Sequence, residues 1–195
     1  NEKLADPEFS VSGIFRKFDV RALCTTDDPA DDLGCHRAIA ASGLKTRVFP
    51  AFRPDRALAV NTPGVFNPWV DKLAAAAGVE IATFADFLDA LKRRHDYFHE
   101  MGARVSDHGL DFVCADICPE QTAAGIFERA RAGHAASPEE RARFASVMML
   151  FFGRLDAEKG WVKQLHLGAR RNNNTRAQKV LGPDTGFDSI GDWPQ

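Results

Sequence analysis

Apolar residues recur along this chain in two rhythms. Short runs at 20–25 (VRALCT), 46–52 (TRVFPAF) and 161–167 (WVKQLHL) are apolar at both parities. That pattern predicts strands buried on both faces. A shorter run at 103–106 (ARVS) reads as a further strand. Each ends in turn chemistry: Thr26-Asp27-Asp28-Pro29, Arg53-Pro54-Asp55, Asp107-His108-Gly109 and Gly168.

Between the runs the period lengthens to that of a helix. Residues 29–43 and 67–78 each carry proline near the start and glycine at the stop. Over 83–101, Phe84, Phe87, Leu88, Leu91, His95 and Phe98 share one stripe, with Thr83 as N-cap. A further helix is expected over 119–132. Ser137 and Glu140 form a capping box around Pro138. They open a helix whose apolar residues include Phe144, Val147, Met148 and Phe151.

Strands alternating with helices predict parallel βα units, and the polar words sit just after the strands, where a (β/α) barrel places its chemistry. Four strands cannot close an eight-stranded barrel, which takes about 250 residues. The expectation is α/β of the (β/α)8 TIM-barrel type, with residues 1–195 one partial barrel domain. The close at 191–195 (GDWPQ) carries no end-of-domain signal and suggests an internal piece of a longer protein.

Composition narrows the classes. At 195 residues, 45% hydrophobic and 27% charged, the chain can bury a core. A net charge of −2 without a basic stripe argues against nucleic acid. No apolar run reaches the roughly eighteen residues of a membrane span, and no leader pattern is visible. Cys24, Cys35, Cys114 and Cys118 read as reduced, half-buried thiols of a cytoplasmic protein. The three-residue gap between Cys114 and Cys118 departs from zinc-ribbon spacing.

Candidate chemistry follows the strand ends. Thr25, Thr26, Asp27 and Asp28 put two hydroxyls and two carboxylates at a strand end: the carboxylates could bind a metal or act as acid and base, or Thr26 or Asp28 could cap a helix beginning at Pro29. Arg53 directly follows a predicted buried strand and needs an anion: a substrate, Asp55 or Asp27. Asp107 and His108 could form a proton shuttle, or a turn in which Gly109 supplies an unusual dihedral. Gln164 and His166 share a strand face, where His166 could ligate a metal, bond a sugar hydroxyl or pack in the core. The loop 170–176 (RRNNNTR) could be a lid, a subunit contact or plain loop. His95 and His99 lie four apart on one helix without the glutamate of the protease motif, which favours packing over metal.

Five words taken together, LCTTDDPADDLGCH, VFPAFRPDRAL, SDHGLD, GWVKQLHLGARRNNNTR and LGPDTGFDSIGD, resemble the uronate (glucuronate) isomerase family of the amidohydrolase superfamily. The resemblance runs from about Phe18 to Asp192. It implies a distorted (β/α)8 barrel, of which this chain covers roughly strands 2 to 5. It also implies interconversion of D-glucuronate with D-fructuronate and of D-galacturonate with D-tagaturonate in hexuronate catabolism, with a divalent metal, usually zinc. By the same resemblance Arg53 contacts the uronate, Asp107 lies in the pocket, and His166 lines the metal and substrate site, with Asp107 and His166 as catalytic candidates. The expected partners are the uronate, the remainder of the barrel and a homo-oligomer. The family's His-x-His pair is absent from these 195 residues, so a metal in this piece alone and its independent activity are doubtful. A metal-dependent hydrolase of the superfamily and a non-catalytic sugar-acid-binding half-barrel remain the alternatives.

Overall fold

The computed structural model describes residues 5–183 and 185–191. Its frame is four short parallel strands: β1 (Ala22–Cys24), β2 (Arg47–Phe49), β3 (Val105–Leu110) and β4 (Val162–Leu167). β1 pairs with β2 and β3 with β4, both parallel. Phe52 joins the two pairs, because it bridges Asp27 on one side and Ser106 on the other. Its N–H donates to the Val105 carbonyl at 3.1 Å and its carbonyl accepts from Asp107 N at 2.9 Å. The strand order therefore follows the chain, β1-β2-β3-β4, as in an arc of parallel βα units.

The connections are helical. Helix α1 (Val11–Lys17) precedes β1, and α2 (Gly34–Ala41) links β1 to β2. Both α3 (Pro63–Ala77) and α4 (Phe84–Glu100) lie between β2 and β3, and α5 (Glu120–Arg131) and α6 (Pro138–Lys159) between β3 and β4. A two-stranded antiparallel ribbon, β5 (Ala169–Arg170) with β6 (Ser189–Ile190), encloses α7 (Thr175–Leu181).

The local signals explain most boundaries. Thr83 and Ser137 cap α4 and α6 in complete capping boxes with Asp86 and Glu140. Gly78 and Gly160 end α3 and α6 at φ near +65°, a conformation open to glycine. The stretch from Pro29 to Leu33 is a turn, not helix: Asp28 Oδ1 accepts from Ala30 N at 2.9 Å, and α2 begins only after Leu33.

The core is aromatic. Phe66, Phe84, Phe87, Phe127 and Phe144 interlock where α3, α4, α5 and α6 meet. Phe52 carries this core under the sheet, with Phe98, Phe152 and His95 edge-on to it. Each such burial contributes about 1.5–3 kcal/mol. On α6 the fully buried rings are Phe144 and Phe152, while Phe151 is only half-buried.

Two expectations change. β3 runs through Leu110, so Asp107, His108 and Gly109 belong to the strand and not to the turn after it. β1 and β4 are not buried on both faces: Ala22, Cys24, Val162, Leu165 and Leu167 are exposed. β1 and β4 are the outer strands of the arc, and each is hydrogen-bonded to one neighbour only among the described residues. No helix among the described residues is long and apolar enough to cross a membrane.

Candidate active site

Strand parity builds the site. In the β3–β4 register Asp107 faces Gln164 and Gly109 faces His166, which puts all four on one side of the sheet. Arg53, one residue beyond Phe52, reaches the same side. Its Nε donates to Asp55 Oδ2 at 2.7 Å and its Nη1 to Asp107 Oδ2 at 3.2 Å. His166 Nδ1 lies 2.7 Å from Asp107 Oδ1, and His166 Nε2 lies 2.9 Å from Gln164 Nε2. Asp107 is nearly buried, with the Arg53 guanidinium at Oδ2 and the His166 ring at Oδ1. The three candidates Arg53, Asp107 and His166 thus form one connected chain at the strand ends.

Gly109 has a different purpose from the dihedral expected of it. Its φ is not positive. Its N–H donates to both oxygens of Asp55, at 3.1 and 3.2 Å. A Cβ there would collide with Arg53 Nη2 and come within 3.0 Å of Asp55 Oδ2. The residue is needed for space. Burial raises the Asp55 carboxyl above the usual range, although the Arg53 guanidinium beside it pulls the other way.

A cavity of about 610 Å³ opens beside this chain, lined by Thr26, Asp27, Asp28, Arg53, Asp55, Arg56 and Arg171. Three carboxylates face three guanidiniums, so the lining has no net sign. Asp28 accepts from Trp69 Nε1 at 2.8 Å and lies 3.6 Å from Arg56. The Arg/Asn loop is built, not slack. Arg171 pairs with Asp188 at 2.5 Å, Asn172 N donates to the same carboxylate, and Asn174 caps α7 through Ala177 N. The 181–192 word reaches Asp184 and Asp192, which lie outside the described residues.

Behind the sheet, the other parity carries a second polar cluster that the sequence reading missed. Asp156 Oδ2 accepts from Ser106 Oγ at 2.7 Å and Lys163 Nζ at 2.9 Å, and its Oδ1 takes His95 Nε2 at 3.1 Å. Lys163 Nζ also donates to His108 Nε2 at 2.9 Å. Burial, reinforced by the Lys163 charge, pushes the His108 imidazole down to about 3, so it is a neutral acceptor and no proton shuttle. Burial works against ionising Asp156, yet the donors from His95, Ser106 and Lys163 hold it below the ordinary value. The available signal was Lys163 itself, a charge at the same parity as Leu165 and Leu167.

His95 and His99 serve packing. His95 is fully buried against Trp161 and Phe52. His99 Nδ1 accepts from Trp161 Nε1 at 2.9 Å. Cys24 and Cys35 are exposed and all four cysteines are free, so the half-buried reading holds for Cys114 and Cys118 alone. Among the described residues no three His, Cys, Asp or Glu side chains are grouped to hold a metal ion. His166 has one nitrogen at Asp107 and the other at Gln164, so it does not complete a metal site with its present neighbours.

The glucuronate isomerase family model matches residues 1–195. A uronate isomerase of Solibacter usitatus is 64% identical over the whole chain, which spans 42% of that relative. One of Opitutus terrae is 58% identical, with 41% of its length spanned. Among solved structures, the uronate isomerase of Thermotoga maritima superposes with a TM-score of 0.89 at 34% identity, covering all of this chain and 43% of that one. The glucuronate isomerase of Caulobacter crescentus does so at 0.84 and 27% identity, covering all of this chain and 40% of its own. The chain spans about two fifths of the length of the relatives it matches, and it belongs to the glucuronate isomerase family.

Proposed function

We propose that the complete protein is a uronate isomerase acting on D-glucuronate and D-galacturonate in hexuronate catabolism. In this reading the arc β1–β4 supplies strands 2 to 5 of an eight-stranded barrel. The observation that carries the reading is the chain Arg53–Asp107–His166 beside a charge-balanced cavity. A uronate is an anion at one end and a row of hydroxyls elsewhere. Guanidiniums suit the carboxylate, and carboxylates suit the hydroxyls. A lining with both in equal number matches such a ligand better than a simple anion or cation.

The reaction moves hydrogen within the substrate. The C2 proton leaves to a base and a proton arrives at C1, while the hydroxyl proton of O2 is lost and O1 gains one. Aldose becomes ketose with no change in composition. His166, about half-exposed and lining an adjoining pocket with Arg53, Asp55 and Gly109, takes and returns the proton at Nε2, which the substrate reaches by displacing the Gln164 amide. Asp107 holds its Nδ1 and offsets the charge that His166 gains. Arg53 binds the substrate carboxylate, and Asp55 and Asp107 orient its guanidinium. A divalent metal, zinc included, would take its ligands largely from the rest of the protein, since the described residues do not group to hold one.

The test uses the full-length protein, folded and supplied with zinc, incubated with D-glucuronate in D2O and followed by proton NMR. Loss of the C2–H signal with growth of ketose signals is expected. Arg53→Met should raise KM strongly or abolish turnover. Absence of turnover of both uronates would overturn the reading.

A further inference from the structure

Next to Arg53, the cavity wall includes an assembly that the Arg53–Asp107–His166 chain does not use. Asp27 follows β1, and Arg53 N donates to its carbonyl at 2.9 Å, so the two residues stand side by side on adjoining strands. The Asp27 side chain is mostly buried, and one of its oxygens is fully engaged. Oδ2 accepts from Thr25 Oγ1 at 2.6 Å and from Ala51 N at 3.2 Å. The Thr25 hydroxyl spends its proton on Asp27, so at His36 Nε2, 2.8 Å away, it is the acceptor. His36 is therefore the Nε2–H tautomer. It is more than nine-tenths buried, and its Nδ1 has no partner among the described residues. Asp27 Oδ1 likewise has no partner among them, and Asp27 lines the cavity.

We propose that Asp27 is a further substrate-binding residue, whose free oxygen accepts a hydrogen bond from a sugar hydroxyl while Arg53 next to it holds the carboxylate. His36 is a positioning residue that acts through Thr25 to fix the Asp27 rotamer. The proposal rests on the uronate reading above. A histidine buried at this depth, with one ring nitrogen unsatisfied, is costly as a packing element. The relay explains its place, because it converts a flexible carboxylate into one with a single open acceptor. The hydroxyl bonds that remain to be made in a charge-balanced cavity are made by such acceptors.

The choice of variant separates binding from structure. Asp27→Asn retains an oxygen to accept from Thr25 and Ala51 N, and replaces only the cavity-facing acceptor with a donor. In the full-length protein we expect KM for D-glucuronate to rise tenfold to about a hundredfold, the value of one hydrogen bond to a charged group. Turnover at saturation should stay within about threefold, and the melting temperature should not move. His36→Leu should raise KM in the same direction. His36→Gln, which can return an N–H to Thr25, should restore most of it. The double variant Asp27→Asn with His36→Leu should be no worse than Asp27→Asn alone, because the two act on one contact. An Asp27→Asn KM within twofold of the parent, or additive effects in the double variant, overturns the proposal and leaves the isomerase reading standing. If the parent protein turns over neither uronate, calorimetric binding of D-gluconate decides. Binding weakened tenfold by Asp27→Asn supports the role without the isomerase reading, and binding unchanged or absent in both proteins overturns it.

Discussion

Gly109→Ala tests whether the site depends on space at one strand position. The substitution adds a single methyl group to β3, in a backbone conformation that alanine adopts freely. No dihedral strain confuses the result. The new Cβ overlaps Arg53 Nη2 and presses on Asp55 Oδ2 at 3.0 Å. The arginine end is the flexible partner, so it gives way, by about an ångström, which is the scale of misplacement that costs on the order of a hundredfold in turnover. Arg53 then cannot keep both its 2.7 Å bond to Asp55 and its 3.2 Å contact with Asp107. Stability should fall by only about 1 kcal/mol, because the guanidinium is about one-quarter exposed and partly screened. Steady-state kcat/KM for D-glucuronate and a thermal melt of the full-length protein separate the two effects. Gly64→Ala is the control, since nothing lies within 4 Å of its added Cβ. A Gly109→Ala enzyme within threefold of the parent would refute the argument that Arg53 is placed by the missing side chain.

The remaining predictions concern the scaffold, each measured on the full-length protein by denaturant unfolding. His108 titrates at about 3 when folded and near 6.5 when unfolded, so the unfolded chain binds the extra proton and stability falls as pH drops below about 6.5. Relative to His108→Gln, the parent should lose roughly 2 kcal/mol more between pH 7 and pH 5; parallel pH profiles would refute this. Arg94 is buried and donates to the carbonyls of Pro29, Asp31 and Ala76, tying α4 to the turn after β1 and to the end of α3. Arg94→Met should cost about 3 kcal/mol by stranding those carbonyls, and a loss under about 1 kcal/mol would show that water replaces it. Ser137→Ala should cost about 1 kcal/mol and Ser137→Asp almost nothing, since only a side-chain acceptor for Glu140 N is needed; equal losses in the two variants would contradict the cap.

What was legible in the chain was local. The capping box of Ser137 and Glu140, the Thr83 N-cap, the helix-ending Gly78 and the stripe of α4 follow from interactions within a few residues, and they appear where the spacing places them. The sharing of one strand face by Gln164 and His166 follows from the two-residue period and also holds. What was not legible depends on neighbours distant in sequence. Pro29 reads as a helix start, but Asp28 turns back to Ala30 N and to Trp69, forty-one residues away, and the helix waits until Gly34. Asp107, His108 and Gly109 read as a turn because polar residues with a glycine usually make one. Here Arg53, Asp55 and the Asp156 cluster satisfy them, and the strand continues. Asp156 itself falls on the buried stripe of α6 beside Phe152 and Leu155, where a pattern of apolar residues gives no reason to look for it.

The two polar faces of β3 depend on each other through register. Ser106 and Lys163 are a cross-strand pair, and both end on Asp156 Oδ2. Shifting β4 by one residue would carry Lys163 to the opposite face and leave the Asp156 carboxylate, nearly buried, without its cation. Stranding a buried charge in this way costs several kcal/mol, more than a short strand pair gains from any alternative hydrogen-bond pattern. The same shift would bring Leu165 opposite Asp107 and turn His166 away from it. The cluster behind the sheet therefore enforces the one alignment in which Asp107 meets His166 and Gly109 clears Arg53. Strands of only six residues, one of them largely exposed, hold the geometry of the candidate site because their buried polar groups tolerate a single register.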